Sequence, residues 1–189
     1  AVFNELERLG EWNTENPIKK IRAFRTDDSE MAFLTQNQIE LLIKESKKST
    51  AKDLEIIIKI ALSTGARWSE AESLTSSQVT PYKITFIKTK GKRNRTIPIS
   101  KELYNQIPKK KGALFTPCYS AFRSAMKRTG IELPNRQSSH VLRHTFASYF
   151  MMNGGNILVL QRILGHTDIK MTMRYSHFSP EHLEDAVRF

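Results

Sequence analysis

Between Ser138 and Phe178 the chain gathers His140, Arg143, His166 and Tyr175 among helix signals. His140 stands three residues before Arg143, so a helix would carry both on one face. Histidines, an arginine and a phenol brought to one point suit a phosphate, with the tyrosine as nucleophile. A phosphodiester under attack collects negative charge on its non-bridging oxygens. Arginine meets such oxygens with a forked pair of donors, which lysine cannot do. Donors aimed where charge develops are commonly worth ~3–4 kcal/mol each. A phenol of ordinary pKa ~10 attacks poorly until cationic neighbours favour its anion. The leaving oxygen needs a proton, and a mobile lysine on a loop could supply it. The chain thus holds the parts of a metal-free transesterification, although composition does not show that they meet. His140 and His144, four apart, would also suit zinc on a helix, but the glutamate of an HExxH pattern is absent and Leu142 fills its middle.

The 189 residues, 39% of them hydrophobic, suffice for one good-sized domain with an appendage. A formal charge of +11 points to a polyanion such as nucleic acid. The single cysteine, Cys118, excludes a disulfide framework and a cysteine-ligated zinc site. No apolar run nears the ~18 residues that would span a bilayer, and no signal peptide opens the sequence. The chain starts at Ala1 within a helical pattern, which suggests a piece of a longer, intracellular protein.

Several elements must position the candidate residues. Residues 1–30 read as a short helix (Val2, Phe3, Leu6 and Leu9 at helical spacing) and a charged linker, the end of a preceding domain. A second domain, 31–189, opens with a capping box at Thr35 and Gln38, and that helix runs to about Ser46. Thr50 is expected to open the next helix, with Leu54, Ile57, Ile58 and Ala61 inside and Gly65 past its end. Arg67 then falls in a tight turn, with Ser69 to Glu72 read as another capping box and Glu70 in the first turn. Tyr82 to Lys88 alternates, with Tyr82, Ile84 and Phe86 on one face, and Arg95 to Ile99 pairs back across a glycine-containing loop. From Lys88 to Lys111 nine Lys/Arg face one acidic residue, Glu102, so Lys88, Lys92, Arg93 and Arg95 are candidate DNA contacts. Pro98 suggests an edge strand. Ser100 caps a short helix, and Thr116-Pro117 is expected to start another that ends at Gly130. Helices follow from His140, with Leu142, Phe146, Tyr149 and Phe150 inward, and from Asn156, with Leu160, Ile163 and Leu164 inward. The break at Gly154-Gly155 would fold His166 back towards Arg143, and Ser179-Pro180-Glu181 would start a last helix. Tyr175 lies in a weakly periodic segment between helices. The pattern is mainly α with a small antiparallel β-sheet, an α+β class.

Thr64-Gly-Ala-Arg-Trp-Ser-Glu70, His140-Val-Leu-Arg-His144, Leu164-Gly-His166 and Tyr175 with Ser176-His177 resemble, in order and spacing, the signature boxes of tyrosine recombinases. The similarity covers roughly Phe33 to Phe189 and leans towards integrases of temperate bacteriophages. It implies the catalytic-domain fold of that family, with Arg67 and Arg143 clamping a scissile phosphate. It further implies His140 as a donor to that phosphate and a candidate for proton transfer, His166 as the second donor, Tyr175 as the nucleophile of a 3′-phosphotyrosine bond, and Glu70 bracing the active-site arginine. Lys90, with Lys92 as the alternative, resembles the general acid, His144 reads as packing and hydrogen-bonding within the fold, and His177 as a neighbour of the site; the segment that holds the tyrosine is often mobile in the family. No cofactor or metal is implied. The implied setting is the bacterial host cytoplasm, with recombination at double-stranded DNA attachment sites through a Holliday junction. The implied partners are a homotetramer on DNA and accessory DNA-bending proteins. A non-catalytic DNA-binding module, a type IB topoisomerase, or a recombinase of a transposon or chromosome-dimer-resolution system are the alternatives.

Overall fold

The computed structural model describes residues 2–17, 19, 31–87, 94–134, 137–138 and 140–180. The chain divides into two units, Ala1–Glu30 and Met31–Phe189. In the first, helix α1 (Val2–Leu9) is followed by a loop closed by a Phe3–Trp12 edge contact and by Asn16 donating to the Asn4 side chain.

The second unit is built around α3 (Leu54–Thr64), whose Leu54, Ile57, Ile58, Ile60 and Ala61 are all but inaccessible. A helix buried this fully needs neighbours on most sides. It has α7 (Val141–Met152) and α4 (Trp68–Glu72), while α2 (Gln36–Ser46) packs on α6 (Tyr119–Thr129). The Thr35–Gln38 capping box forms as the sequence predicts. Other ends differ. α3 starts at Leu54 rather than Thr50, because the Asp53 carboxylate is committed to the Thr116 backbone N–H and hydroxyl, both 2.8 Å away. That bond also holds Thr116 outside α6, which begins at Tyr119. At α4 the N-terminal pairing is Arg67 with Glu70, whose carboxylate accepts from the Arg67 backbone N–H and guanidinium, not Ser69 with Glu72, since Glu72 accepts from the Trp68 indole and the Cys118 N–H.

Strands β1 (Val79–Thr80), β2 (Lys83–Phe86) and β3 (Arg95–Pro98) form an antiparallel sheet in that order, with Ile84 opposite Ile97 and Phe86 opposite Arg95. Pro98 is on an edge strand, as expected. Tyr82 does not join the inward face. It takes φ 60 at the turn before β2 and stays exposed. Ser100 caps α5 (Lys101–Gln106), accepting from Leu103 N–H.

In α7 the buried face is Val141, Leu142, Arg143, Thr145, Ala147, Ser148 and Met151. Phe146, Tyr149 and Phe150 are only half-buried, as α7 sits between two clusters and gives Val141 and Leu142 to the main one and Ala147 and Met151 to the second. Asn156 caps α8 (Ile157–Leu164), which packs on β3, with Leu160 and Leu164 inside and Ile163 partly so. Helix α9 (Lys170–Met173) and a 3-10 turn at Ser176–Phe178 complete the described chain. The expected last helix lies outside the described residues. None of the described helices is long and apolar enough to cross a membrane.

Candidate active site

The site begins with a glutamate that organises two arginines. Gly65 turns α3 off with φ 64, and two residues on Arg67 starts α4. Glu70, one turn into α4, reaches back to accept from the Arg67 backbone N–H at 2.8 Å and from Arg67 Nη1 at 3.0 Å. The same carboxylate accepts a fork from Arg95, at 3.1 and 2.6 Å. Burial alone would raise the Glu70 pKa. The Arg95 hydrogen bonds and charge, joined by the Arg67 N–H and charge, outweigh it and hold the carboxyl down to about 2.

Arg95 departs from expectation as a DNA contact. It is 7% exposed, its guanidinium lies 4.7 Å from the Phe86 ring centroid, and it faces Glu70. Strand alternation carries the reason, since Arg95 shares the inward face of β3 with Ile97. Lys88, Lys90, Lys92 and Arg93, including the expected general acid, lie outside the described residues.

Arg143 ties the site to two helix ends. Its Nη1 donates to Gly65 O at 2.9 Å and its Nη2 to Leu164 O at 2.6 Å. These carbonyls sit at the C-terminal ends of α3 and α8, where the helix dipole favours a cation. The Gly154-Gly155 turn between α7 and α8 makes this meeting possible. Burial, then the charges of Arg67 and Arg95, push the Arg143 pKa down to about 9, which leaves it cationic at neutral pH.

His140 caps the N-terminal end of α7, its N–H bonded to Gln137 O, and it is exposed. Partial enclosure of the ring lowers its pKa, and Arg143 and Arg67 add to that. His166 follows Gly165, which takes φ 67 at the end of α8. Its Nδ1 is 2.9 Å from Thr172 Oγ1, which orients the ring. Burial first, then Arg143, Arg67 and Arg95, bring its pKa down to about 4. Both shifts favour the neutral ring.

Tyr175 is 2% exposed and packs with Met31, Ala147, Met151, Leu160 and Leu164. Phe178 packs edge-on to Phe33 at 5.1 Å and anchors the turn behind it. The segment expected to be mobile is thus seated in the second apolar cluster. Burial raises the phenol pKa, against the opposing charges of Arg143 and Arg174. The Tyr175 Oη lies 2.7 Å from His144 Nδ1.

The charges of Arg143 and Arg67 bear on both His140 and His166, and that of Arg143 also on Tyr175. Such a point can hold a phosphodiester between two arginines, with neutral imidazoles as further donors and a phenol beside it. Sequence reasoning missed the inward Arg95, which period-2 alternation could have disclosed, and Thr172, for which there was no signal. It read His144 as packing and hydrogen-bonding within the fold, and the contact with Tyr175 Oη is a bond of that kind. Among the described residues, no three of His, Cys, Asp and Glu are grouped to hold a metal ion.

An all but buried phenol under the charge of Arg143, in a unit of helices packed about α3 with a three-stranded sheet, fits a tyrosine-recombinase catalytic-domain fold. The sequence model of the phage integrase family matches residues 32–111 and 116–182, and the chain belongs to that family. The integrase of Escherichia phage 186 is 67% identical over 189 residues, covering 100% of this chain and 56% of that protein. The integrase of Haemophilus phage HP1 is 60% identical, with the same coverage. The solved catalytic domain of the HP1 integrase superposes with a TM-score of 0.81 at 61% identity, over 85% of this chain and 95% of that one. The chain therefore spans just over half the length of these relatives.

Proposed function

We propose that this chain carries the catalytic part of a site-specific DNA recombinase that integrates phage DNA into a host chromosome and excises it. The observation that supports this reading is Arg143, bonded to the helix-end carbonyls of Gly65 and Leu164 that lead into Arg67 and His166 and acting by its charge on Tyr175, in a member of the phage integrase family. Arg67 and Arg143 neutralise the scissile phosphate, and His140 and His166 donate to its oxygens. Tyr175 attacks phosphorus, forms a 3′-phosphotyrosine bond and releases a 5′ hydroxyl, which takes its proton from Lys90. The bond energy is kept in the covalent intermediate, so rejoining needs no nucleotide cofactor. Four protomers exchange strands in two steps on double-stranded attachment sites, helped by accessory DNA-bending proteins, in the cytoplasm of the host. Residues 1–30 are the end of the preceding core-binding domain.

The test is covalent capture. The full-length protein is incubated with a random-sequence duplex library, and sequencing of the covalent adducts gives the cleaved site. A nicked suicide duplex bearing that site should then trap the wild-type protein and leave Tyr175→Phe free. Trapping of Tyr175→Phe would show that another residue is the nucleophile.

A further inference from the structure

The phenol proton of the attacking tyrosine must pass to an acceptor within reach of its oxygen. Among the described residues, the side chain within hydrogen-bond distance of the phenol oxygen is His144, whose Nδ1 is 2.7 Å from Tyr175 Oη. His144 follows Arg143 directly on α7, half-buried, with its ring centroid 6.0 Å from that of Tyr175 and 6.1 Å from that of His140. Tyr175 is fixed from the other side by its own N–H to Thr172 O and by its apolar neighbours, so the contact joins two positioned groups.

We propose that His144 is a further catalytic residue, the general base whose Nδ1 accepts the Tyr175 phenol proton as the phenol attacks phosphorus. This rests on the function proposed above. The ring proton then sits on Nε2, and the phenol is the donor. In the forward step the Oη–P bond forms, the P–O5′ bond breaks with its electron pair left on O5′, and O5′ is protonated by Lys90. The phenol proton ends on Nδ1. In rejoining, the imidazolium returns that proton to the departing phenolate, so no proton is consumed over the cycle.

The surroundings suit this role. Burial first, then His140, Arg143 and Arg174, bring the His144 pKa down to about 4, so its lone pair is free at neutral pH. A base that weak does not ionise a resting phenol. It needs only to take the proton once phosphorus bonds to the oxygen and makes the O–H strongly acidic. The groups acting on the ring are His140 and Arg143 on its own helix, Arg174 beyond α9, and Tyr175 itself.

The experiment measures single-turnover adduct formation by the full-length protein on its nicked suicide duplex from pH 6 to pH 9. It compares wild type, His144→Gln and His144→Ala, with and without imidazole, and urea unfolding confirms that each variant is folded. His144→Gln is expected to lose about 100-fold at pH 7, the usual scale of general-base catalysis. Its rate should then climb about tenfold per pH unit, as bulk base replaces the lost one, while wild type stays nearly flat. Imidazole should restore part of the rate to His144→Ala. A 5′-bridging phosphorothiolate, whose leaving sulfur needs no proton, should rescue Lys90→Ala but not His144→Gln. Unchanged or faster cleavage by the His144 variants, or a slope equal to that of wild type, overturns the proposal alone. Adducts formed by Tyr175→Phe overturn it together with the assignment of the nucleophile.

Discussion

Glu70→Gln tests whether one carboxylate holds the site together. Its pKa falls from 4.5 to about 2 on folding, although burial works the other way. At 1.36 kcal/mol per pH unit, that drop corresponds to about 3 kcal/mol of net preference for the carboxylate. The glutamine keeps the shape and loses the charge, leaving Arg95, with its side chain 6% exposed, short of a counter-ion. Breaking a buried pair from one side commonly costs about 3–5 kcal/mol, in agreement. The depressed pKa fixes the pH dependence. The stabilisation is fully present above pH 4.5 and is lost as pH falls through about 2, because the unfolded chain takes the proton first. Urea unfolding should therefore show Glu70→Gln less stable by about 3 kcal/mol at pH 7, the gap shrinking to about half by pH 3. Adduct formation should fall too, since Arg67 loses the bond to its side chain. Equal urea midpoints at pH 7, or a gap that widens in acid, would refute the reasoning.

Two other outcomes follow from the same geometry. His144 and His166 fall from 6.5 to about 4 on folding, so the unfolded chain binds their protons first. Stability should decline as pH drops from 6.5 towards 4, by about 1–2 kcal/mol for each ring after allowance for solvent screening, before the carboxylates contribute. A flat stability profile between pH 6.5 and 4.5 would contradict this. Gly65→Ala places a Cβ at φ +64, 2.6 Å from Phe146 Cδ1 and 2.9 Å from Leu164 Cδ2, while Gly65 O accepts from Arg143. A loss of about 2–4 kcal/mol is expected in urea unfolding, with slower adduct formation. A variant as stable as wild type would mean that the turn has slack.

Much of the fold was legible because its signals are local. The Thr35–Gln38 box, Gly65 and Gly130 past helix ends, and the Asn156 cap each satisfy backbone groups within a few residues. The errors came where distant partners intervened. Asp53, bonded to Thr116 from 63 positions away, reset the ends of two helices at once. The two-residue strand β1 is too short for any alternation to show. The inward face of α7 was misjudged because a helix between two clusters has no single apolar stripe.

The sequence by itself determined the residues on offer. Four short boxes in order named Arg67, His140, Arg143, His166 and Tyr175, because a phosphate and a phenol nucleophile constrain residue type more tightly than any helix does. Only the tertiary structure decided their states. Arg95 became the counter-ion of Glu70, Arg143 found its carbonyls at the ends of two helices, and Tyr175 was buried against His144. Those contacts span 21 to 78 positions, beyond any local pattern. The ionisation of the site depends on burial and neighbouring charge, which exist only once the chain has folded.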